Sequence, residues 1–407
     1  MTDELGLFND RHGDRRGDRS RTARRRPPPR RRSRRRVTVW IGVLVVLVLI
    51  AGGVWFGLTQ VLGIDIGGYD DYTGSGEQDV VVEIPDGATT GVIAGVLHDK
   101  GVVASTKAFV KAAESDSRVL GIQPGFYVMR TKVSGKDAIT KILTPDSRKG
   151  RLEIRGGYQL DDITKLDGGI EPGIVTRLSN ASCADLNGKS TCVPVEEMRK
   201  VAETGDPVAL GVPDWAVPDI AKLEPKRRLE GLVQPGVYDV RPGSSADEVW
   251  RTVISESTTR LQAIGMPKIA SDTGFSPHQV LVMASLIERE AIEKDFAKVS
   301  RVTYNRLAIS MKLGFDSTVN YVLDRPAIRT KEADRGKAGA YNTYANFGLP
   351  PGPIASPSKG AIEAAVKPAE GNWVYFVRCQ KDGTSCFAET LSQHEANVKQ
   401  AQANGAY

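Results

Sequence analysis

The feature that most constrains this 407-residue chain is a stretch of 22 uncharged residues near its N-terminus, at positions 37–58. That length is enough to cross a bilayer once as a helix. Trp40 and Trp55 lie near its ends, where tryptophan favours the membrane–water interface. The stretch is longer than the apolar part of an ordinary signal peptide, and no A-x-A cleavage site follows it. The sequence therefore predicts a single N-terminal transmembrane helix.

The segment before this helix, residues 1–36, contains fourteen arginines and five acidic residues. It carries about +9, and because the whole chain carries +6, the remainder carries about −3. The basic balance thus belongs to the tail and does not indicate a nucleic-acid-binding surface. Arginines beside an apolar helix predict a cytoplasmic N-terminus. With almost no large apolar residues, the tail is expected to be disordered.

The chain beyond the helix is long enough for two or three domains. Residues 59–79, rich in glycine and acidic residues, are interpreted as a linker. From residue 80 the pattern of strand, two helices and strand indicates a small β-α-α-β module over 80–150. An intermediate subdomain is expected over 151–229 and a mixed α/β domain over 230–400, so the predicted fold class is α+β.

A short motif recurs in two of these regions. Gln-Pro-Gly-Phe-Tyr at 123–127 returns as Gln-Pro-Gly-Val-Tyr at 234–238, and a helix is predicted to follow each copy. The recurrence is compatible with a duplicated unit. It is equally compatible with two independent Pro-Gly turns.

A carboxylate stands inside an apolar helical segment, residues 281–294. On a helix, side chains three and four apart share a face. The neighbours of Glu288 on its face are small or apolar except for one serine: Ala284, Ser285, Ala291 and Ile292. Glu290 points about 200° away and is expected in a wetter environment. Desolvation of a carboxyl group favours its protonated form, as a general acid requires. The alternative is a glutamate that extends into solvent.

Two later segments are predicted to form the walls of a cleft around Glu288. The first, residues 304–323, ends an amphipathic helix and passes through a polar turn at 315–318 into an apolar strand. In that turn, Asp316 is interpreted as a turn former more readily than as a second catalytic carboxylate. The second segment, residues 341–354, joins tyrosine, asparagine and threonine to a rigid glycine–proline loop. Such side chains suit sugars because they combine flat apolar faces with hydroxyl and amide groups.

These motifs together resemble one known family, the endolytic murein (peptidoglycan) transglycosylases of the MltG or YceG-like type. The resemblance covers roughly residues 80–400. The matching motifs, in chain order, are LIERE at 286–290, YNRL at 304–307, M-x-L-x-x-D-S-T-V at 311–319, YNTY-x-x-x-GLPPGPI at 341–354, WVYFV at 373–377, then Phe387 and His394. Arg289 stands where the family commonly has lysine, and it keeps the positive charge.

The resemblance implies roles for individual residues. The family's catalytic glutamate is the first in its I-E-K-E motif and falls on Glu288, the residue that the buried-face argument also selects. Substrate-binding roles fall on the predicted cleft walls: Asn305, Asp316, Ser317, Thr318, Tyr341, Asn342, Thr343 and Tyr344. The module at 80–150 resembles a LysM-like domain.

The resemblance also implies a reaction. Such enzymes cleave between N-acetylmuramic acid and N-acetylglucosamine without water as the nucleophile, and they leave 1,6-anhydro-muramyl ends. One carboxylate suffices, whereas most glycosidases pair two. No cofactor and no metal are expected. The implied partners are peptidoglycan glycan strands and the peptidoglycan synthases, including penicillin-binding proteins, of the elongation machinery. The implied location is the bacterial cell membrane, with the catalytic domain outside and glycan elongation terminated there.

The cysteines are consistent with an oxidising compartment. All four follow the predicted membrane helix, in two close pairs: Cys183 with Cys192, and Cys379 with Cys386. Each pair could close a short loop as a disulfide. A zinc site is the alternative, although these spacings are poor for zinc and the four histidines are scattered.

Two other function classes remain open on the sequence. Ser356 and Lys359 fit the S-x-x-K motif of penicillin-binding acyl enzymes, but the companion S-D-N and K-T-G motifs are missing. Ser356 and Pro357 fit the start of a helix better. A non-catalytic peptidoglycan-binding protein, acting through the LysM-like module alone, would not need Glu288 on an apolar face.

Overall fold

The computed structural model describes residues 68–165, 167–323 and 332–406, together with the helical residues Leu44, Leu47, Val48 and Ile50. The chain divides into two compact units, Met1–Gly68 and Tyr69–Tyr407. Within the described ranges, no helix has both the length and the apolar character needed to cross a membrane. The predicted tail at 1–36 and most of the predicted membrane helix at 37–58 lie outside the described residues.

The second unit begins with a small module that has its own hydrophobic core. Its elements are β1 Asp79–Ile84, α1 Thr90–Asp99, α2 Thr106–Ala113, β2 Gly125–Arg130, α3 Gly135–Ile142 and β3 Arg148–Lys149. The three strands form one antiparallel sheet in the order β1-β2-β3. Each helix begins where a hydroxyl accepts a backbone N–H: Thr89, Ser105 and Ser134. Leu97, Phe109 and Met129 are fully buried at the centre.

The chain then enters a second strand pair that encloses helices and short hairpins. β4 Arg151–Ile154 pairs antiparallel with β9 Gly236–Asp239. Between them lie β5 Ile163–Thr164, β6 Ile170–Glu171, α4 Ile174–Ala181, β7 Asp185–Leu186, β8 Lys189–Ser190, α5 Val195–Thr204 and α6 Val217–Ile220. A disulfide joins Cys183 to Cys192 across the β7–β8 hairpin.

The two Gln-Pro-Gly motifs occupy equivalent positions in these two strand pairs. Ile84 lies opposite Gly125 in the first pair, and Ile154 lies opposite Gly236 in the second. In both motifs the tyrosine hydroxyl donates to the carbonyl of the glutamine four residues earlier, at 2.7 Å in one copy and 2.5 Å in the other. A serine-capped helix follows each copy. This matching register favours a duplicated unit over two independent turns.

The remaining chain is largely helical. Its elements are α7 Ala246–Ile264, α8 Pro277–Glu290, α9 Phe296–Ala308, α10 Asp316–Asn320, α11 Glu332–Arg335, α12 Lys359–Val366, β10 Tyr375–Arg378, β11 Ser385–Ala388 and α13 Leu391–Ala403. α8 is the central helix, and Val280, Leu281 and Met283 on it are fully buried. One continuous hydrophobic core runs from Leu152 to Ala365. Residues 151–229 therefore share the core of the helices that follow them. A second disulfide, Cys379–Cys386, closes the β10–β11 hairpin.

Three local expectations were wrong. α8 ends at Glu290, and Ala291 is extended with φ −141°, so Ala291 and Ile292 are not on the helical face of Glu288. Asp316 begins the short helix α10 rather than a turn before a strand. The segment after Ser356 becomes helical two residues later than expected, because the hydroxyl of Ser358 caps α12 by accepting from the N–H of Ala361.

Candidate active site

The carboxylate of Glu288 is held in place at the end of α8. Its Oε2 accepts a hydrogen bond from the backbone N–H of Ser358 at 2.9 Å. Ser358 is the N-cap of α12, so the carboxylate lies where the partial positive charge of a helix start favours an anion. On its other side the carboxylate touches Gly156, and a Cβ at that position would overlap Oε1. Glu288 is half-buried and Gly156 is exposed, so Oε1 lies near the surface.

The glycine turn that contacts Glu288 is fixed by pairing with the loop before α12. The N–H of Gly157 donates to the carbonyl of Ser356 at 2.9 Å, and the N–H of Ser356 donates to the carbonyl of Tyr158 at 2.7 Å. Gly157 has a φ of +82°, which favours glycine. Arg289 adds a hydrogen bond from Nη1 to the carbonyl of Gly157 at 3.1 Å. Thus the residue after the glutamate holds the turn that lies against it.

Glu290 is not in the wetter environment that was expected. Its Oε1 accepts from the N–H of Ser317 at 3.2 Å, at the start of α10. Burial raises the pKa of Glu290, and the nearby charge of Asp316 acts in the same direction. Burial lowers the pKa of Arg289. The nearby acidic groups of Glu290, Glu230 and Glu288 act in the opposite direction. The arginine in the LIERE motif therefore lies near three acidic side chains.

The predicted wall at 341–344 divides into residues that build the loop and residues nearer its surface. Asn342 is buried, and its Nδ2 donates to the carbonyls of Arg335 and Lys337 at 2.9 and 2.7 Å. Thr343 is buried as well; its Oγ1 lies 2.9 Å from both the N–H of Phe315 and the Oγ1 of Thr318. These contacts fasten the loop to α10. Tyr341 is buried too, and only Tyr344 lies nearer the surface.

Tyr344 is half-buried and connects the loop to an ionic pair. Its hydroxyl donates to Oδ1 of Asp316 at 2.7 Å, and Arg335 lies 3.1 Å from the same oxygen. The Arg335 guanidinium also stacks over the Tyr344 ring at 4.8 Å. Tyr341 is instead buried against Tyr321, with ring centroids 5.0 Å apart.

The structure thus gathers most of the predicted wall residues around Glu290 and Asp316. The backbone N–H of Ser317 donates to Glu290. The hydroxyl of Thr318, within α10, lies 2.9 Å from the hydroxyl of Thr343 and so joins α10 to the loop. Asn305 lies elsewhere: its Nδ2 donates to the carbonyls of Gly371 and Trp373 at 3.1 and 2.9 Å, and so ties α9 to the segment before β10.

One buried acid in this region was missed by the sequence analysis. Glu230 is 2% exposed, and its Oε2 accepts from the N–H of Leu160 at 3.2 Å and from the hydroxyl of Tyr321 at 3.1 Å. Its Oε1 is buried and has no hydrogen-bond partner among the described residues. Burial raises the pKa of Glu230 from 4.5 to about 8. The available signal was an acid within an apolar stretch, LEGLV at 229–233.

The Gly156–Gly157 turn and Ser358 were also missed. The turn follows β4 at the place where Asp86 and Gly87 follow β1 in the first repeat, and Gly87 and Gly157 both have positive φ. Alignment of the two repeats could have located the turn. Nothing in the local sequence indicates that it would meet residue 288.

The S-x-x-K residues do not form a nucleophilic pair. Ser356 is fully buried and its hydroxyl donates to the carbonyl of Val233 at 2.6 Å. Lys359 lies 3.6 Å from Glu363 on the following turn of α12. This arrangement contradicts an acyl-enzyme site. Over the described part of the chain, no group of three or more His, Cys, Asp or Glu side chains could hold a metal ion.

The fold and the site define a class: a mixed α/β protein with a half-buried glutamate fixed at the junction of two helices and a glycine turn. Residues 82–400 match the YceG-like family, and the chain belongs to that family.

Curated relatives carry a common name. The chain is 30% identical over 324 residues to the endolytic murein transglycosylase of Bacillus subtilis, covering 77% of this chain and 82% of that protein. It is 25% identical over 386 residues to the Streptococcus pneumoniae protein of the same name. That alignment covers 88% of this chain and 64% of the pneumococcal protein, so the chain spans less than two thirds of the longer relative. A solved yceG-like protein from Listeria monocytogenes is 27% identical, with a TM-score of 0.51 over 79% of this chain and 99% of that one.

Proposed function

We propose that this protein is an endolytic murein transglycosylase that cleaves glycan strands between N-acetylmuramic acid and N-acetylglucosamine. The observation that carries the proposal is the placement of Glu288. The residue that the family motif assigns as catalytic has one oxygen bonded to a helix N-cap and the other beside an exposed glycine. Such a carboxylate is oriented and accessible at once, as a general acid must be.

The geometry divides the work between the two carboxylate oxygens. Because Oε2 accepts from the N–H of Ser358, Oε1 is the oxygen available for proton exchange. In the first step Glu288 gives its proton to the glycosidic oxygen, and the bond from that oxygen to the muramyl C1 breaks. In the second step the carboxylate takes the proton of the muramyl 6-hydroxyl, whose oxygen bonds to C1. The anhydro ring closes, no water is consumed, and Glu288 is protonated again.

The walls of the cleft have separate tasks in this proposal. Tyr344 and Asp316 are half-buried near Glu290 and would contact the sugar, whereas Ser317 is buried and would hold Glu290 through its backbone N–H. Tyr341, Asn342, Thr343 and Thr318 are buried and would shape the loop that presents them. Asn305 would not contact the sugar directly but would fix the segment before β10. Carboxylates and hydroxyls near the cleft also favour the positive charge that develops at C1 as the bond breaks.

We further propose that the enzyme is anchored by one helix at 37–58 with its N-terminus in the cytoplasm. A single anchor at a fixed height would give the cleft access to nascent strands near the membrane, beside peptidoglycan synthases, and cleavage there would terminate elongation. The module at 80–150, with its strand–helix–helix–strand order, would act as the LysM-like part.

Digestion of nascent glycan by the full-length protein in detergent tests the proposal. Mass spectrometry should find 1,6-anhydro-muramyl ends. Reducing muramyl ends would mean that water is the nucleophile, and the proposed ring closure would be wrong. Binding without any product would identify a non-catalytic peptidoglycan-binding protein.

A further inference from the structure

A pocket of ≈ 580 Å³ lies beside the glycine turn, between the β3–β4 segment and α4. Its volume is within the range of small-ligand sites. Basic side chains and one aromatic ring dominate its lining: Arg148, Lys149, Arg151, Arg155, Tyr158 and Arg177. The transglycosylase chemistry described above does not use this pocket.

The strand pattern of β4 explains why the pocket is basic. Successive side chains of a strand alternate between its two faces. Leu152 and Ile154 point into the core, where they are 7% and 1% exposed. Arg151 and Glu153 therefore share the outward face with Arg155, which follows the strand, and all three are exposed. Gly150 precedes them at a φ of +77° and packs on the carbonyl of Val240.

Some of these positive charges have partners within the fold. Arg148 lies 3.3 Å from Asp239, Arg155 lies 3.2 Å from Glu153, and Arg177 lies 2.5 Å from Glu171. Arg177 also stacks over the ring of Tyr158 at 4.2 Å, which fixes the guanidinium at the pocket wall.

Lys149 and Arg151 differ from the other basic residues of the pocket. Their side chains form no ion pair with any described residue. Lys149 is half-buried and Arg151 is exposed, and the charge of Arg151 acts only at longer range on Glu153, so both charges are accessible to a ligand. The pocket therefore presents an excess of positive charge that the fold itself does not use.

The pocket adjoins the proposed catalytic carboxylate. Arg155 and Tyr158 in its lining flank Gly156 and Gly157, the turn that contacts Glu288 and Arg289. The turn that contacts Glu288 is thus continuous with the lining of the pocket, and a group attached to the sugar at Glu288 would have to extend past this turn to enter it.

We infer that this pocket binds the acidic stem peptide of the muramyl residue next to the scissile bond. The inference rests on the proposed function, which places a muramyl sugar at Glu288. That sugar carries, on its lactyl ether, a short peptide with several free carboxylates. Arginine binds carboxylates through two parallel hydrogen bonds, and lysine binds them as a point charge. An unpaired arginine and lysine beside the cleft fit this ligand in charge and position.

The test compares two substrates: uncrosslinked glycan with its stem peptides, and the same glycan after an amidase has removed them. Full-length wild type should prefer the peptide-bearing glycan. In the Lys149→Gln/Arg151→Gln double variant, the ratio of kcat/KM on the two substrates should fall about five- to tenfold, as expected for two solvent-accessible charge contacts. The preference should also weaken with salt. Lys399→Gln, on an exposed face of α13, is the matched control and should leave the ratio unchanged.

A ratio that is the same in wild type and double variant would overturn the inference, whether or not overall activity changes. If wild type cleaves neither substrate, the proposed function fails, and binding then decides the inference by itself. Isolated muramyl peptide is titrated calorimetrically into the full-length protein. The double variant should bind it about five- to tenfold more weakly than wild type does. Equal binding, or displacement of the peptide by inorganic phosphate at the same concentration, would contradict a stem-peptide site.

Discussion

The backbone N–H of Ser358 donates to Oε2 of Glu288 at 2.9 Å, which joins the end of α8 to the start of α12. This bond orients a carboxylate that would otherwise have several rotamers. It also lets one oxygen stay bound to the protein while the other exchanges a proton.

Replacing Gly156 by alanine should abolish most activity with little loss of stability. A methyl group at this position overlaps Oε1 of Glu288, and the end of a flexible side chain can move away at low cost. We expect kcat to fall by about 10²-fold or more, as for loss of a positioned general acid, and the melting temperature to change by only a few degrees. Gly95→Ala in α1, where a Cβ meets no atom within 4 Å, is the control and should retain full activity. Full activity in Gly156→Ala would show that the contact is unimportant.

Glu230 should make the protein less stable as the pH rises. Burial raises its pKa from 4.5 to about 8, so the folded protein keeps a proton that the unfolded chain releases. The associated stability is fully present below about pH 4.5 and is lost as the pH approaches about 8. Denaturant unfolding across this range should show a falling free energy of unfolding in wild type. The slope should be smaller in Glu230→Gln, with Glu290 contributing what remains, since burial raises its pKa too. An unchanged slope would mean that Glu230 does not hold the proton.

The hydroxyl of Tyr344 should contribute more to the free energy of unfolding than the hydroxyl of Tyr341 does. Tyr344→Phe removes a bond to Asp316 and should lower the free energy of unfolding by about 1–2 kcal/mol. Activity should decrease as well, because Asp316 is the first residue of α10 and its charge lies near Glu290. The hydroxyl of Tyr341 is buried and has no hydrogen-bond partner among the described residues, so Tyr341→Phe should be neutral or stabilising. Equal destabilisation in both variants would contradict this difference.

Both disulfides should be formed on the exported side of the membrane. They close short loops, with sequence separations of 9 and 7, so each is expected to stabilise by about 2–3 kcal/mol at most. Reduction should therefore lower the melting temperature without abolishing activity, since neither pair contacts Glu288. Thiol labelling before and after reduction measures their state. Free thiols in the native protein would show that the disulfides are not formed. Protection of the domain from external protease in spheroplasts would contradict the proposed orientation.

Sequence reasoning located the central helix and its glutamate because an apolar period interrupted by one acid is a local signal. It also predicted the order of elements after residue 79, where a strand is followed by two capped helices and a second strand. It placed Ala291 and Ile292 on the helix because nothing local shows that α8 stops at Glu290. The environment of Glu290 was mispredicted for the same reason: the N–H of Ser317, which donates to its carboxylate, lies 27 residues away. Glu230 and Gly157 escaped notice because their partners, Tyr321 and Arg289, lie 91 and 132 residues away. Such contacts depend on packing, which no short window of sequence contains.

The most direct measurement is mass spectrometry of the glycan products of wild type, Glu288→Gln and Glu290→Gln. Wild type should produce 1,6-anhydro-muramyl ends. Glu288→Gln should fold normally and produce about 10²–10⁴-fold fewer, because an amide can neither give nor take the catalytic proton. Glu290→Gln should keep measurable activity, since its amide oxygen can still accept from Ser317. Anhydro products formed by Glu288→Gln at the wild-type rate, or lost equally in both variants, would contradict the role assigned to Glu288.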